Sequence, residues 1–300
     1  MKKLLKIFLS VLLLCAIALL LKNEFARLLT KNSPYGIQTL ISKTASAENL
    51  FVGSSMFRQG IDIFALEEKS PGTSWILAYN GNQPVWEKII LELLLNNNVK
   101  IKTLFLDMYA YSVVVPPKVS DERLFLHTDL KTKKEFWNIL KQTGNASLQE
   151  LFQMFVTSNN EILWTWPLNK KLTDNRYLRG GNTAFSPGST DSLIRSLPPV
   201  AIEDFSFRKE QKNALLEIFA LCKKHNVNLV LIETPKYIEI AKANRVEFLI
   251  SESTANQMQQ KDSSFNYIER MIPFNSDDPE SFQDRIHLSS KGRKIYTEKI

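Results

Sequence analysis

Three hundred residues with an apolar fraction of 44% leave room for one α/β domain with insertions, or for two small domains. The formal charge of +7 is spread along the chain with no basic helix and no aromatic–basic motif, so it gives no support to a nucleic-acid partner. It fits a surface working near anionic lipid or polymer, and equally a plain solvated surface.

The chain opens with Lys2, Lys3 and Lys6 around a nearly unbroken apolar run ending at Leu21. As a helix, Leu4 to Leu21 is roughly 27 Å long, close to the hydrocarbon thickness of a bilayer. A cleaved signal would need a small-x-small site soon after the run, and "KNEFARLL" has none; Ala45-Ser46-Ala47 lies too far downstream. The expectation is therefore a single-pass signal anchor over residues 1–22. The lysines would stay in the cytoplasm and the body would sit on the extracytoplasmic side. Residues 23–47 read as a juxtamembrane linker, and 48–300 as the compact domain. Cys15 lies in the apolar run and Cys222 in a helical pattern. They do not make a disulfide framework, and neither has metal-ligand spacing, so no metal or other cofactor is expected.

Strand-like apolar runs occur at Leu50–Gly53, Ser74–Asn80, Ile101–Tyr109 and Val227–Pro235. Helical patterns lie between some of them. "PVWEKIILELLLNN" begins with Pro84, a good first-turn residue, and Arg208 to Asn226 is amphipathic with a basic end. Strand, helix and strand in succession predict a parallel sheet covered on both faces. The stretch of about 116–199 breaks this rhythm and reads as an insertion with helices and a Gly/Asn/Pro/Ser-rich loop.

In such a sheet, ligands bind beyond the carboxyl ends of the strands. Gly53-Ser54-Ser55 falls at the end of the first strand, where it is compatible both with a capped turn and with a hydroxyl exposed at a helix N-terminus. The C-terminal stretch "FQDRIHLSSKG" separates these readings. Asp284 and His287, three residues apart before a helix start, can set a carboxylate against one imidazole nitrogen and leave the other to face a serine. His127 in the insertion and His225 at a basic helix end lack that context. Ser55, His287 and Asp284 are the candidate nucleophile, base and orienting acid.

"GSSM" after the first strand and "DRIHLSSKG" near the end together resemble the first and last motif blocks of the SGNH/GDSL hydrolase superfamily. The resemblance implies a flavodoxin-like three-layer fold, here with an insertion and a preceding transmembrane helix. Gly-Ser-Ser in place of Gly-Asp-Ser is similar to the membrane-anchored DltD-like branch, and to the SGNH proteins that accompany membrane-bound O-acyltransferases in polysaccharide O-acetylation. It implies a membrane-anchored esterase or acyltransferase acting on a cell-envelope polysaccharide or polymer. The alternative is a catalytically weak or inactive module that holds a polymer or partners the acyltransferase.

The family's oxyanion hole uses a glycine after the second strand and an asparagine after the third. "AYNGNQP" offers Gly81, with Asn80 and Asn82 beside it, whereas the third strand ends in Asp107, a carboxylate that would repel an oxyanion. Arg179, Gly181 and Asn182 are candidates for a loop covering the substrate. Trp164 and Trp166 are candidates for stacking on sugar rings.

Overall fold

The computed structural model describes residues 2–30, 36–44, 46–69, 72–107, 110–121, 123–126, 128–154, 179–196, 208–237, 266–267 and 274–300. Trp164, Trp166 and His127 lie outside these residues.

Helix α1 (Lys2–Thr30) runs unbroken through the apolar segment. Its stretch Lys2–Lys22 has a mean hydropathy of 2.9 and is not buried in the protein. Side chains such as Leu4, Phe8 and Leu14 stand more than half exposed to solvent. A helix apolar on all sides and covered by nothing is suited to lipid, or to a signal sequence. It continues past Lys22, and the helix contacts residues Ile37–Thr39 and Arg123–Leu126.

Among the described residues the sheet has four full strands, β1 (Ser46–Gly53), β2 (Ser74–Ala78), β3 (Lys100–Asp107) and β4 (Asn228–Ile232), and a two-residue β5 (Asn266–Tyr267). Every pairing is parallel and the spatial order is β2-β1-β3-β4-β5, the flavodoxin-like order. The chain is thus α/β with a parallel sheet, as its alternating pattern predicts.

Strand alternation sends β1 side chains to both faces. Leu50 and Val52 enter a core with α4 (Pro84–Asn96) and α6 (Lys209–Lys224), built from Trp86, Ile89, Ile90, Leu215 and Ile218. Phe51 enters a second core on the opposite face, with Phe57, Phe282, Leu288 and Tyr296. That face is covered by α2 (Ser55–Gly60), α3 (Ile63–Lys69) and α7 (Ser290–Thr297).

Pro84 occupies the first turn of α4, where its missing N–H costs no bond. Within the insertion, α5 (Leu130–Gln142) is capped by Asp129, whose side chain accepts from Thr132 N–H. It lays Phe136 against Trp86, ring centroids 4.9 Å apart.

The elements differ from the sequence reading at strand ends and in the linker. β2 ends at Ala78 rather than Asn80, and β4 ends at Ile232 rather than running to Pro235, where its partner Asp107 is the last residue of β3. The segment read as a linker contributes to the core: Ile37 and Leu40 are fully buried, and β1 begins at Ser46. Ile37→Ala should therefore lower stability by about 2–5 kcal/mol, the usual cost of emptying a buried isoleucine site. Urea denaturation of the full chain in detergent checks this, and a shift under about 0.5 kcal/mol, the surface-site level, would mean Ile37 belongs to a linker after all.

Candidate active site

β1 changes direction at Gly53-Ser54. β2 and β3 flank β1, so the end of β1 lies at the point where the strand order reverses. The half-buried Ser55 is the first residue of α2, and Ser54 caps that helix, its hydroxyl accepting from Met56 N–H at 3.2 Å. Ser55 Oγ lies 2.8 Å from His287 Nε2, and His287 Nδ1 lies 2.7 Å from Asp284 Oδ2. With the ring proton on Nδ1 donated to Asp284, the Nε2 lone pair accepts the Ser55 hydroxyl proton. The structure brings together the three residues that the motif spacing selects.

The His287 loop is held at both ends. Phe282 and Leu288, both buried, form an antiparallel bridge, and Gln283 N–H donates to the His287 carbonyl at 2.8 Å. Inside this loop Asp284 Oδ1 accepts the N–H groups of Ile286 and His287, each at 2.8 Å. Burial works against the Asp284 charge. The hydrogen bond and charge of His287 outweigh it, together with the two N–H groups, and hold the carboxyl below its ordinary range. Its ionised form thus contributes stability above the ordinary carboxylate pKa, and that contribution is lost as pH falls through the lowered value. Ser289 ends the loop as the cap of α7, accepting from Gly292 N–H at 3.2 Å and donating to the Glu280 carbonyl at 2.6 Å.

Asp107, at the end of β3, does not face the Ser55 hydroxyl. It turns to Ser54, whose hydroxyl donates to Asp107 Oδ2 at 2.5 Å and whose backbone N–H donates to the same oxygen at 3.1 Å. Gly53 makes this approach possible, since a Cβ there would lie 2.3 Å from Asp107 Cβ. Burial pushes the Asp107 carboxyl up to about 6, against the two Ser54 bonds and Lys236, with Glu233 adding to the rise. Glu87, fully inside the domain, is raised well above its ordinary value by burial and by the Asp107 charge.

The turn after β2 distinguishes three other candidates. Asn80 is a brace: its side-chain oxygen accepts from Arg58 at 2.6 Å, and its N–H donates to Asp121 Oδ2 at 2.8 Å. Gly81 takes a positive φ of 57°, which closes the turn, and Asn82 N–H donates to the Tyr79 carbonyl at 3.1 Å. The Asn82 side chain is buried, and neither its nitrogen nor its oxygen has a partner among the described residues. Gly81 and Asn82 also line a cavity of about 370 Å³ with Ser112, Lys118 and Glu150. None of Ser55, Asp284 and His287 lines it.

The loop read as a substrate cover has another task. Arg179 makes a two-pronged ion pair with Glu67 at 2.5 and 2.7 Å, and its guanidinium lies 4.8 Å from the Phe64 ring centroid. Gly181 is buried, and Asn182 donates its N–H to the Arg58 carbonyl at 3.3 Å. The Asn182 carbonyl accepts from Arg293. These contacts tie the loop to α2, α3 and α7. They correct the expectation for Arg179, because a guanidinium whose fork is filled by a carboxylate has little left to offer a substrate. His225 is exposed at the end of α6, far in character from the His287 setting.

Sequence reasoning missed Arg58, Asp121 and the Ser54–Asp107 contact. Arg58 carries a weak local signal, three residues after Ser55 and so on the same side of α2. Asp121, in contrast, meets Asn80 across 41 residues of chain with no spacing rule to reveal it.

No family model matches the chain, and no curated protein does. One solved structure resembling it is that of a Streptococcus pneumonia protein described by reference to platelet activating factor. The identity is 12% and the TM-score 0.40, with 97% of this chain and 96% of that one covered.

The buried Asp107 gives a pH-dependent prediction. Its folded pKa lies above its unfolded one, so the folded state holds the extra proton between about 4 and 6, and stability falls as pH rises through that window. Asp107→Asn, neutral at every pH, should be more stable than the parent at pH 7, by up to about 3 kcal/mol. It should lose that advantage toward pH 4. Urea denaturation of both proteins at pH 4, 5.5 and 7 measures the difference, and an advantage that grows on acidification would contradict the burial argument.

Proposed function

We propose that this protein is a membrane-anchored SGNH-type serine esterase or acyltransferase. The observation that carries the reading is the Ser55–His287–Asp284 chain of contacts, 2.8 and 2.7 Å long, at the carboxyl edge of the parallel sheet. In the reaction, His287 Nε2 takes the Ser55 proton as Ser55 Oγ attacks the acyl carbonyl. The resulting oxyanion would be met by the N–H groups of Ser55, at the start of α2, and of Gly81. The intermediate collapses to an acyl-serine, and the leaving oxygen departs with the proton from His287. A second hydroxyl, from water or from a sugar or polyol, then gives its proton to His287 as it attacks the acyl-serine, and His287 returns that proton to Ser55 Oγ as the ester bond breaks. Asp284 holds the ring in the working tautomer and stabilises the imidazolium that forms at each transfer.

Two further parts of the proposal rest on α1 and on the motif resemblance. The domain works on the extracytoplasmic side of a membrane, and its acceptor is a cell-envelope polysaccharide or polymer. Its acyl donor comes by way of a membrane-bound O-acyltransferase. The uncovered apolar surface of α1 supports the membrane part.

The test uses the full chain in detergent. A fluorophosphonate should label the parent protein, and Ser55→Ala should abolish the labelling while leaving the melting curve unchanged. His287→Ala should slow labelling by about 10³-fold or more, and Asp284→Asn somewhat less. p-Nitrophenyl acetate should give a burst of nitrophenolate that Ser55→Ala loses. A folded protein that gives neither labelling nor burst would favour the module that binds without turnover.

A further inference from the structure

We propose that Asp107 is the positioning residue of the nucleophile turn, acting through Ser54 to aim the Ser55 hydroxyl at His287. This inference rests on the reading of Ser55 as nucleophile. It begins from two buried polar side chains that meet where β1 and β3 end. Ser54 and Asp107 are 53 residues apart in the chain and bonded twice, N–H and O–H both donating to one carboxylate oxygen.

The contact fixes the turn from both sides. Donating its hydroxyl proton to Asp107 leaves the Ser54 oxygen lone pairs for Met56 N–H, the second residue of α2. The backbone at Ser54 and the first turn of the helix carrying Ser55 are thus referred to one atom at the end of the neighbouring strand. Both residues are buried, Ser54 at 3% and Asp107 at 3% exposure, so water does not compete for these bonds. The contact also requires Gly53, because any side chain there would meet Asp107 Cβ.

Asp107 itself is placed by its surroundings. Glu233 repels its charge and Lys236, paired with Glu233 at 2.9 Å, attracts it. Tyr296 donates its hydroxyl proton to the Glu233 carbonyl at 2.9 Å beneath the same cluster. Asp107 Oδ1 has no partner among the described residues. One oxygen therefore does the positioning, and an asparagine oxygen in its place can accept the same two bonds.

The experiment measures the second-order rate of fluorophosphonate labelling on the full chain in detergent, with melting curves for every variant. Asp107→Leu and Ser54→Ala should each slow labelling by about tenfold or more, the scale on which small misplacements of reacting groups are felt. The double variant should be no slower than the slower single one, because both changes cut the same contact. Asp107→Asn should bring the rate back to within about threefold of the parent, which a purely electrostatic role of the carboxylate would not allow. A parent-like rate in folded Asp107→Leu would overturn the proposal. So would fully multiplicative effects in the double variant, or an Asp107→Asn variant as slow as Asp107→Leu. If Asp107→Leu does not fold, Ser54→Ala decides alone, and a parent-like rate there would overturn it. A parent protein that does not label, or a Ser55→Ala variant that still does, would instead remove the nucleophile on which the proposal stands.

Discussion

Ser55 and His287 are 232 residues apart, and the contact between them depends on apolar packing beneath the sheet. Phe51 from β1 and Phe57 from α2 share one core with Phe282, Leu288 and Tyr296 from the C-terminal segment. Phe51 sits edge-on to Phe57 and stacks on Phe105 of β3, with centroids 5.9 and 4.4 Å apart. Phe282 meets Tyr237 and Phe274 edge-on in the same way. Burying these rings fixes the height and direction of the 283–287 loop. The hydrogen bonds of the site add to a placement that hydrophobic burial favours. Aromatic rings suit this task, since each buries a large area while losing only two torsions.

The polar side of the site is built at a cost in electrostatic self-energy. Asp107 and Glu87 are both buried near one another, and neither has a cation of its own within the described contacts. A charged carboxylate inside a protein is expensive unless it is well hydrogen-bonded. Here the two Ser54 bonds offset part of the cost at Asp107, while at Glu87 burial and the Asp107 charge push the carboxyl pKa well up. Asp284 shows the opposite balance, since burial is outweighed by His287 and two backbone N–H groups. The two aspartates are thus shifted in opposite directions, Asp107 up by burial and Asp284 down by His287 and its N–H donors.

The parts of the fold and site that could be read from the sequence were those with short-range signals. β1 and β3 show as apolar runs, α4 announces its start with Pro84, and Asp284 and His287 fall three apart before a capped helix. Ser55 is identifiable because a small-residue turn ends an apolar strand in a chain whose C-terminal stretch supplies Asp284 and His287. What stayed hidden was set by contacts across long stretches of chain. Asp107 looks misplaced for an oxyanion hole until Ser54 is seen opposite it. Arg179, beside two glycines, looks like a substrate clamp until Glu67 fills its fork, and Ile37 looks like part of a tether until it enters the core. In each case the residue type was read correctly, but its partner lay at a distance that periodicity and motif spacing do not encode.

The helix that opens the chain does not stop where its apolar run does. From Lys22 it continues for two more turns to Thr30, about 12 Å, and the helix touches the domain at Ile37–Thr39 and Arg123–Leu126. In the anchored arrangement proposed above, those turns act as a strut rather than a leash, and they set a stand-off distance from the bilayer. A catalytic centre mounted this way cannot sweep through the envelope in search of polymer. It would work in a thin shell next to the lipid headgroups, and its acceptor chains would have to pass through that shell.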